Sequence, residues 1–264
     1  MPTTFIAIAS AKGGVGKTTT AINLASALNH FAREVILIDC NLEKPNVGLY
    51  LGLTNTPINI HTVLRGQHSI HEAMYKHPSG LLVIPGHLAI EENLRPISER
   101  QISDAFASLL NKAEIVLVDT ASGIGAETQK VIRGCDSVIL VTTPDIVSVT
   151  DTLKTASLAR SFGKKILGIV VTHLREKTYD MPLIEVQSTL QAPIIGTIRY
   201  DEQIHAAHAV RYPVVYTNHE TNATKDYRNL AANLIGEPFE NTVSDKESFF
   251  LYLLQRIGIL QPKR

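Results

Sequence analysis

A glycine-rich segment near the beginning of the chain constrains the fold more than any other feature. Residues 11–19 read AKGGVGKTT and join an apolar run, residues 5–10, to a stretch with helical spacing of apolar side chains, residues 19–30. Glycines let backbone N–H groups approach a phosphate chain closely, and a helix that begins there adds the positive end of its dipole. The segment therefore predicts a strand, a phosphate-binding loop and a helix, in that order.

The polar side chains of this segment have the chemistry that a bound nucleoside triphosphate needs. We expect Lys17 to reach the β- and γ-phosphates and Thr18 to bind Mg²⁺ through its hydroxyl group. The strict pattern GxxxxGK[ST] has glycine where Ala11 stands, so KGGxGK[ST] describes the segment better. The candidate nucleotide-binding residues here are Gly13, Gly14, Val15, Gly16, Lys17, Thr18 and Thr19.

This pattern resembles the deviant Walker A motif of the MinD/ParA family of P-loop ATPases. The resemblance extends to about residue 236, with further matching segments at 35–46, 116–125, 136–144 and 167–173. It implies ATP and ADP as ligands, Mg²⁺ as cofactor, and a homodimer in the ATP state in which Lys12 reaches the nucleotide of the partner subunit. The alternative interpretation of Lys12 is an ordinary solvated loop lysine.

Apolar runs alternate with helical stretches along the chain. The runs are rich in Val, Ile and Leu, which is typical of parallel strands covered on both faces. The alternation predicts an α/β fold, a doubly wound and mostly parallel sheet with helices on both faces. The resemblance identifies it as a P-loop NTPase fold, SIMIBI-like. The predicted strands are residues 5–10, 35–38, 81–84, 115–118, 137–142, 166–171 and 194–198, and the longer helices include 98–112, 151–162 and 224–235.

Two acidic residues follow predicted strands at the edge where the phosphate loop lies. Asp119 resembles the Walker B acid, and Asp39 resembles the first acid of switch I, so Thr18, Asp39 and Asp119 are the candidate Mg²⁺ ligands. The resemblance also implies that the N–H of Gly123 lies near the γ-phosphate. The alternative role for Asp119 is that of a helix cap.

Asn41 stands where the family usually has a second acid that orients or activates the attacking water. An amide cannot act as a base, although its carbonyl oxygen can still orient water. We therefore predict slow hydrolysis and a long-lived ATP state. The candidate catalytic residues are Lys12, Lys17, Asp39, Asn41 and Asp119.

The residues that contact adenine in the family are altered in this chain. Thr172 replaces a usual Asn, and Asp201 follows Arg199 and Tyr200 where relatives have a Pro-acidic pair. Thr172 and Asp201 stay candidate base-binding residues. Residues 60–64 and 70–74 predict short amphipathic helices in a region resembling the surface where relatives meet a regulatory protein partner, and the nearby histidines fit scattered surface positions: His61, His68, His71 and His77.

The sequence divides into a predicted ATPase domain, residues 1–236, a polar hinge, 237–247, and an amphipathic segment, 248–264. That segment resembles the C-terminal membrane-targeting helix of MinD-type proteins. Its polar face is interrupted by Leu251, Tyr252 and Ile259, so docking on a membrane surface, packing on protein and disorder all stay open. The apolar face comprises Phe249, Phe250, Leu253, Leu254, Ile257 and Leu260.

Composition separates the functional classes. Lys plus Arg and Asp plus Glu both number 25, so DNA is an unlikely partner. Cys40 and Cys135 form no CxxC pair, which argues against a disulfide framework and a carrier of metal clusters. The beginning of the chain reads as a strand and not as a signal peptide. No apolar run approaches ~18 residues, so no transmembrane helix is expected. A cytoplasmic protein, peripheral at the inner face of the cell membrane if the tail binds lipid, is expected.

The resemblance favours a MinD-like ATPase that dimerises with ATP and positions a division site or a surface structure. A ParA-like ATPase that rides on DNA, or a scaffold without membrane binding, is the alternative. A synthetase or kinase built on the same loop would need a second substrate pocket, for which the sequence offers no motif.

Overall fold

The computed structural model describes residues 2–87, 97–175, 177–218 and 220–238. Within them eight strands form one sheet in the order β3-β4-β2-β5-β1-β6-β7-β8. Every neighbouring pair is parallel except β3 and β4, which are antiparallel. The strands are β1 (Thr4–Ala9), β2 (Val35–Cys40), β3 (Tyr75–Lys76), β4 (Leu82–Ile84), β5 (Ile115–Thr120), β6 (Ser137–Thr142), β7 (Lys165–Leu174) and β8 (Ile194–Arg199).

Helices cover both faces of this sheet. Alternate residues of a strand point to opposite faces, so Ile6 and Ile8 pack into one core cluster, and Ala7 and Ala9 into the other. The predicted doubly wound α/β sheet of the P-loop NTPase fold is confirmed. The helices are α1 (Lys17–His30), α2 (Val47–Tyr50), α3 (Ile60–Leu64), α4 (Glu99–Ala107), α5 (Ala126–Gly134), α6 (Ile146–Ser161), α7 (Leu183–Leu190), α8 (Gln203–Ala209), α9 (Val214–Thr217) and α10 (Asn222–Ile235).

One strand was not predicted, and several predicted boundaries are wrong. The sequence did not predict β3, because a strand of two residues is too short to give an alternating pattern. Helix α4 ends at Ala107 and not at residue 112, since turns follow and Asn111 adopts a positive φ of 61°. Helix α6 begins five residues earlier than predicted because the side chain of Asp145 caps it, accepting from the N–H of Ser148 at 2.9 Å.

The region between α3 and β4 differs most from expectation. The short helix at residues 60–64 is confirmed, whereas residues 70–73 form turns and no helix. Five residues are too few to stabilise a helical nucleus without caps. Among the four histidines, His68 and His71 are exposed as predicted, but His61 and His77 are 3% and 2% exposed, so the surface assignment is wrong for these two.

The carboxyl ends of β1, β2, β5 and β7 meet at one edge of the sheet, which is the edge that binds ligands in open α/β folds. Within the described residues no helix is long and apolar enough to cross a membrane. The predicted hinge lies outside the described residues except for 237 and 238, and the amphipathic segment lies entirely outside them. The division into these parts stays a prediction.

Candidate functional site

The glycine-rich loop connects β1 to α1 in a conformation that glycine favours. Gly14 and Gly16 adopt left-handed φ angles of 78° and 84°, and Gly16 is the N-cap of α1. Within the described residues, no side chain caps this helix. Its first N–H groups, together with the positive end of the helix dipole, therefore point at the loop's concave side without a capping side chain in the way.

Lys17 and Thr18 bring the helix to the acid at the end of β5. Thr18 Oγ1 donates a hydrogen bond of 2.6 Å to Asp119 Oδ2. The ammonium group of Lys17 donates to the Lys12 carbonyl at 3.1 Å, and its side chain is only 8% exposed. Burial lowers the pKa of Lys17, and the negative charge of Asp119 opposes that shift. A buried cation beside a loop of bare amides is suited to an anionic ligand.

Asp39 and Asp119 occupy paired positions on the adjacent strands β2 and β5. Both are fully buried. Asp39 accepts from the N–H of Asn41 at 3.1 Å and of Val47 at 3.0 Å. Burial and the charge of Asp119 raise the pKa of Asp39, and burial raises that of Asp119 despite the Thr18 hydroxyl and the Lys17 ammonium. Two buried carboxyl groups side by side favour a cation between or near them.

The donor set fits Mg²⁺. Asp119 Oδ1 is buried and has no hydrogen-bond partner in the described parts of the chain, so it is available as a ligand. Thr18 supplies a hydroxyl oxygen next to it, and Asp39 lies on the neighbouring strand. Among the described residues, no group of three or more His, Cys, Asp or Glu could hold a metal by itself. The remaining ligands would come from phosphate and water, as Mg²⁺ prefers.

Lys12 forms an ion pair with an acidic residue of the same chain. Its Nζ lies 3.2 Å from Asp145 Oδ1, and the two side chains are 34% and 45% exposed. Partial burial opposes ionisation of Asp145, but hydrogen bonds from Thr143, Ser148 and Lys12 lower its pKa to about 2. The lysine therefore faces a carboxylate that stays charged at neutral pH.

Two loops flank the phosphate loop. Residues 41–46, which we call the switch I loop, follow β2; Asn41 lies half-buried at its start. Residues 121–125, the switch II loop, follow β5 and contain Gly123, with φ 93°. A Cβ placed on Gly13 would lie 3.8 Å from Ser122 Oγ, so the switch II loop lies directly beside the phosphate loop. Both predicted switch segments thus lie at the predicted edge.

The predicted base-binding residues have other contacts in this structure. The Thr172 hydroxyl is buried and donates to the Val15 carbonyl at 2.7 Å, which ties β7 to the phosphate loop. Asp201 accepts from the N–H groups of Gln203 at 2.9 Å and Ala223 at 3.1 Å. Near the ends of β7 and β8 an open cavity of about 620 Å³ is lined by Leu174, Arg175, Lys177, Arg199, Tyr200 and Asn222.

Sequence reasoning missed three features of this edge. The guanidinium group of Arg175 lies 4.2 Å from the ring centroid of Tyr200, next to the cavity. Asp145 pairs with Lys12, and the sequence carried a signal only for its role as a helix cap, since an acid before a helical stretch predicts a cap and no ion pair. His61 lies under the switch I loop, where its Nε2 is 2.8 Å from the Leu42 carbonyl oxygen.

Sequence comparisons match nearly the whole chain to known proteins. The ParA family model, described as NUBPL iron-transfer P-loop NTPase, matches residues 2–235. An uncharacterized ATP-binding protein of Methanocaldococcus jannaschii is 32% identical over 246 residues, which is 93% of each chain. The septum site-determining protein MinD of Thermotoga maritima is 29% identical over 248 residues, 89% of this chain and 90% of that protein.

Solved structures show the same relationship. The cell division ATPase MinD of Pyrococcus furiosus has a TM-score of 0.83 and 28% identity over 88% of this chain and 98% of that one. The septum site-determining protein MinD of Pyrococcus horikoshii, complexed with Mg-ADP, has a TM-score of 0.83 and 27% identity over 94% of this chain and 98% of that one. The chain belongs to the MinD/ParA family of P-loop NTPases.

Proposed function

We propose that this chain is a MinD-like ATPase that converts ATP and water to ADP and phosphate and uses the nucleotide as a dimerisation switch. One observation carries the proposal: Thr18 Oγ1 lies 2.6 Å from Asp119, whose second oxygen is buried without a partner in the described residues, and Lys17 is buried beside them. A hydroxyl, a free carboxylate oxygen and a cation in one place match the needs of a magnesium–triphosphate complex.

The proposed roles follow from these positions. The backbone of residues 13–19 would cradle the phosphates, with Lys17 on the β- and γ-phosphates. Thr18 and Asp119 would hold Mg²⁺ and Asp39 would act through water, while the ion neutralises phosphate charge. Gly123 would offer its N–H to the γ-phosphate. Thr172 would act indirectly by holding the Val15 carbonyl, and Asp201 would border the base.

Hydrolysis is proposed to be slow. Asn41 is half-buried at the start of the switch I loop, where its amide can orient water but cannot take a proton. Phosphoryl transfer depends mainly on positioning and electrostatics, so some activity is retained. A slow step would prolong the ATP state.

The switch itself is proposed to be an ATP-dependent homodimer completed by Lys12. The Lys12–Asp145 pair is partly exposed at 34% and 45%, and exposed pairs of this kind contribute only ~0–1 kcal/mol. Lys12 can therefore leave Asp145 at little cost and reach a nucleotide in the partner subunit.

The biological role is proposed from the relatives. Three of them are named as septum site-determining or cell division proteins, and an Aquifex aeolicus structure that is 25% identical is a MinC:MinD complex. We propose spatial positioning of a division site or surface structure through a regulatory protein partner. Residues 248–264, which lie outside the described residues, would add an ATP-dependent contact with the inner face of the cell membrane.

Iron transfer, which the family model's description mentions, finds little support in the cysteines. Cys40 and Cys135 are both buried, and burial raises the pKa of each thiol. A cluster or metal carrier needs exposed thiolates.

Two assays test the proposal. Phosphate release from ATP should require Mg²⁺ and should disappear in Lys17→Ala. Co-sedimentation with anionic liposomes should occur with ATP and not with ADP, and should be lost in a chain ending at Asn241. No hydrolysis by the intact chain would contradict the ATPase. Hydrolysis with no liposome binding in any nucleotide state would leave a DNA-riding ATPase or a scaffold as the alternative.

A further inference from the structure

We propose that His61 is a positioning residue that fixes the start of the switch I loop by bridging it to the loop that follows β4. The inference rests on the proposed ATPase function and deepens it. The residue lies in α3, outside the phosphate loop and both switch loops, and is 3% exposed.

The hydrogen bonds of His61 determine its tautomer. Its Nδ1 lies 3.0 Å from the backbone N–H of His87, and its Nε2 lies 2.8 Å from the carbonyl oxygen of Leu42. A backbone N–H can only donate, so Nδ1 must be the acceptor and the ring proton must be on Nε2. One neutral imidazole therefore accepts from one loop and donates to the other.

The helix that carries His61 is itself well fixed. The side chain of Asn59 caps α3 and accepts from the N–H of His61 at 3.1 Å, within a capping box with Thr62. The N–H of Ile60 donates to the Pro85 carbonyl at 3.0 Å. The imidazole is thus attached to a short, well-anchored helix and has little freedom to leave its two hydrogen-bond partners.

The two bridged loops also touch each other near the metal-organising acid. A Cβ on Gly86 would overlap the ring of Pro45 and would lie 3.6 Å from Asp39 Cγ, so only glycine fits there. Residues 85–87 therefore pack directly against the switch I loop. The bond from His61 to Leu42 adds a second attachment at the other end of that loop.

The consequence falls on Asn41, which directly precedes Leu42. If Asn41 orients the attacking water, the position of its peptide affects the chemical step. It does not affect phosphate binding, because the residues of the phosphate loop provide that binding. Loss of the bond to Leu42 should therefore lower kcat and leave KM nearly unchanged.

Two substitutions separate the two bonds. In His61→Gln the amide nitrogen can reach the position of Nε2 and keep the bond to Leu42, and in His61→Asn the amide oxygen can keep only the acceptor for His87. We expect kcat within about 3-fold of wild type for His61→Gln and about 10-fold lower for His61→Asn, with KM within about 2-fold in both. Backbone amide exchange in residues 41–47 should rise only in His61→Asn.

Failure of the role proposed for His61 can be distinguished from failure of the proposed ATPase function. Equal kcat values in the two variants, a lower kcat in His61→Gln than in His61→Asn, or a KM that changes as much as kcat would overturn the role. If the wild-type chain does not hydrolyse ATP, the ATPase fails, and amide exchange still decides about His61. Should either variant not fold, ¹⁵N-histidine NMR of the wild-type chain decides: the proposal requires the Nε2–H tautomer, and the Nδ1–H tautomer contradicts it.

Discussion

Lys12 Nζ and Asp145 Oδ1 lie 3.2 Å apart, so a lysine of the phosphate loop is held by a carboxylate of the same chain. Asp145 also caps α6 through the N–H of Ser148 at 2.9 Å. The same carboxylate thus serves a helix and restrains Lys12. In the proposed ATP-state dimer, a nucleotide in the partner subunit would have to compete with Asp145 for Lys12.

The substitution Asp145→Asn should make Lys12 more available to a partner subunit. Asparagine caps helices about as well as aspartate, so α6 should be preserved, but the charge that attracts Lys12 is lost. We expect the ATP-dependent dimer to form at a protein concentration up to about 5-fold lower, as measured by sedimentation equilibrium. Asp151→Asn, which breaks the Asp151–Lys154 pair on the exposed side of α6, is the control and should change nothing. Weaker dimerisation of Asp145→Asn would refute the idea that Asp145 holds Lys12 back from the partner subunit.

The acid dependence of stability should also report on Asp145. Its pKa is lowered from 3.8 to about 2, so it stabilises the folded chain above pH 3.8, and this contribution is lost as the pH falls toward 2. We expect the difference in unfolding free energy between wild type and Asp145→Asn to be constant near pH 5 and to shrink between pH 4 and about 2. Urea unfolding across this range checks it. A difference independent of pH would show that the charge of Asp145 does not stabilise the fold.

The variant Asp119→Asn should lose magnesium without losing the fold. The amide can still accept from Thr18, and it removes a buried charge whose second oxygen has no partner in the described residues. We expect an unchanged or higher Tm, together with a loss of about 10- to 100-fold in the Mg²⁺-dependent part of ADP affinity, measured with a fluorescent analogue. Asp136→Asn, at the opposite end of the sheet, should keep the Mg²⁺ response. A normal Mg²⁺ response of ADP affinity in Asp119→Asn would show that Asp119 is not a Mg²⁺ ligand.

Asn41→Asp should speed hydrolysis. It restores a carboxylate that can accept a proton from the attacking water, so we expect kcat to rise about 10-fold or more with little change in KM. Asn46→Asp adds the same charge to the same loop and should have no such effect. Steady-state phosphate release measures both, and an unchanged or lower kcat in Asn41→Asp counts against this role for Asn41.

Thr172→Val should weaken nucleotide binding through the phosphate loop. The substitution keeps the size of the side chain but leaves the Val15 carbonyl without its donor, which costs about 1 kcal/mol. We expect KM for ATP to rise about 3- to 10-fold, with kcat less affected. Thr197→Val, on β8, is the control. If KM is unchanged, the bond between Thr172 and Val15 does not shape the loop.

Local patterns in the sequence were enough to predict the fold and the edge that carries the site. Near-continuous apolar runs predicted the parallel strands, and the acids that follow two of them, Asp39 and Asp119, are paired across β2 and β5 because carboxyl ends of parallel strands meet. The phosphate loop was predictable because its glycines and Lys17 act through backbone geometry that is local in the chain.

Contacts between distant segments were not predictable in this way. Lys12 and Asp145 are 133 residues apart, and Thr172 and Val15 are 157 apart, and no periodicity records such pairs. Histidine is compatible with both water and a hydrogen-bonded interior, so the sequence alone could not show that His61 is buried. The two-residue strand β3 was missed because it is too short to form a pattern.

ATP, and not ADP, is proposed to join two copies of this chain through Lys12. Sedimentation velocity on the full chain and on Lys12→Ala, each with Mg²⁺ and either ATP or ADP, tests it most directly. We expect the wild-type chain to be a dimer with ATP alone. The Lys12→Ala variant should be a monomer that binds ADP as the wild type does. A wild-type chain whose mass is the same with both nucleotides, or a Lys12→Ala variant that dimerises equally well, would contradict it.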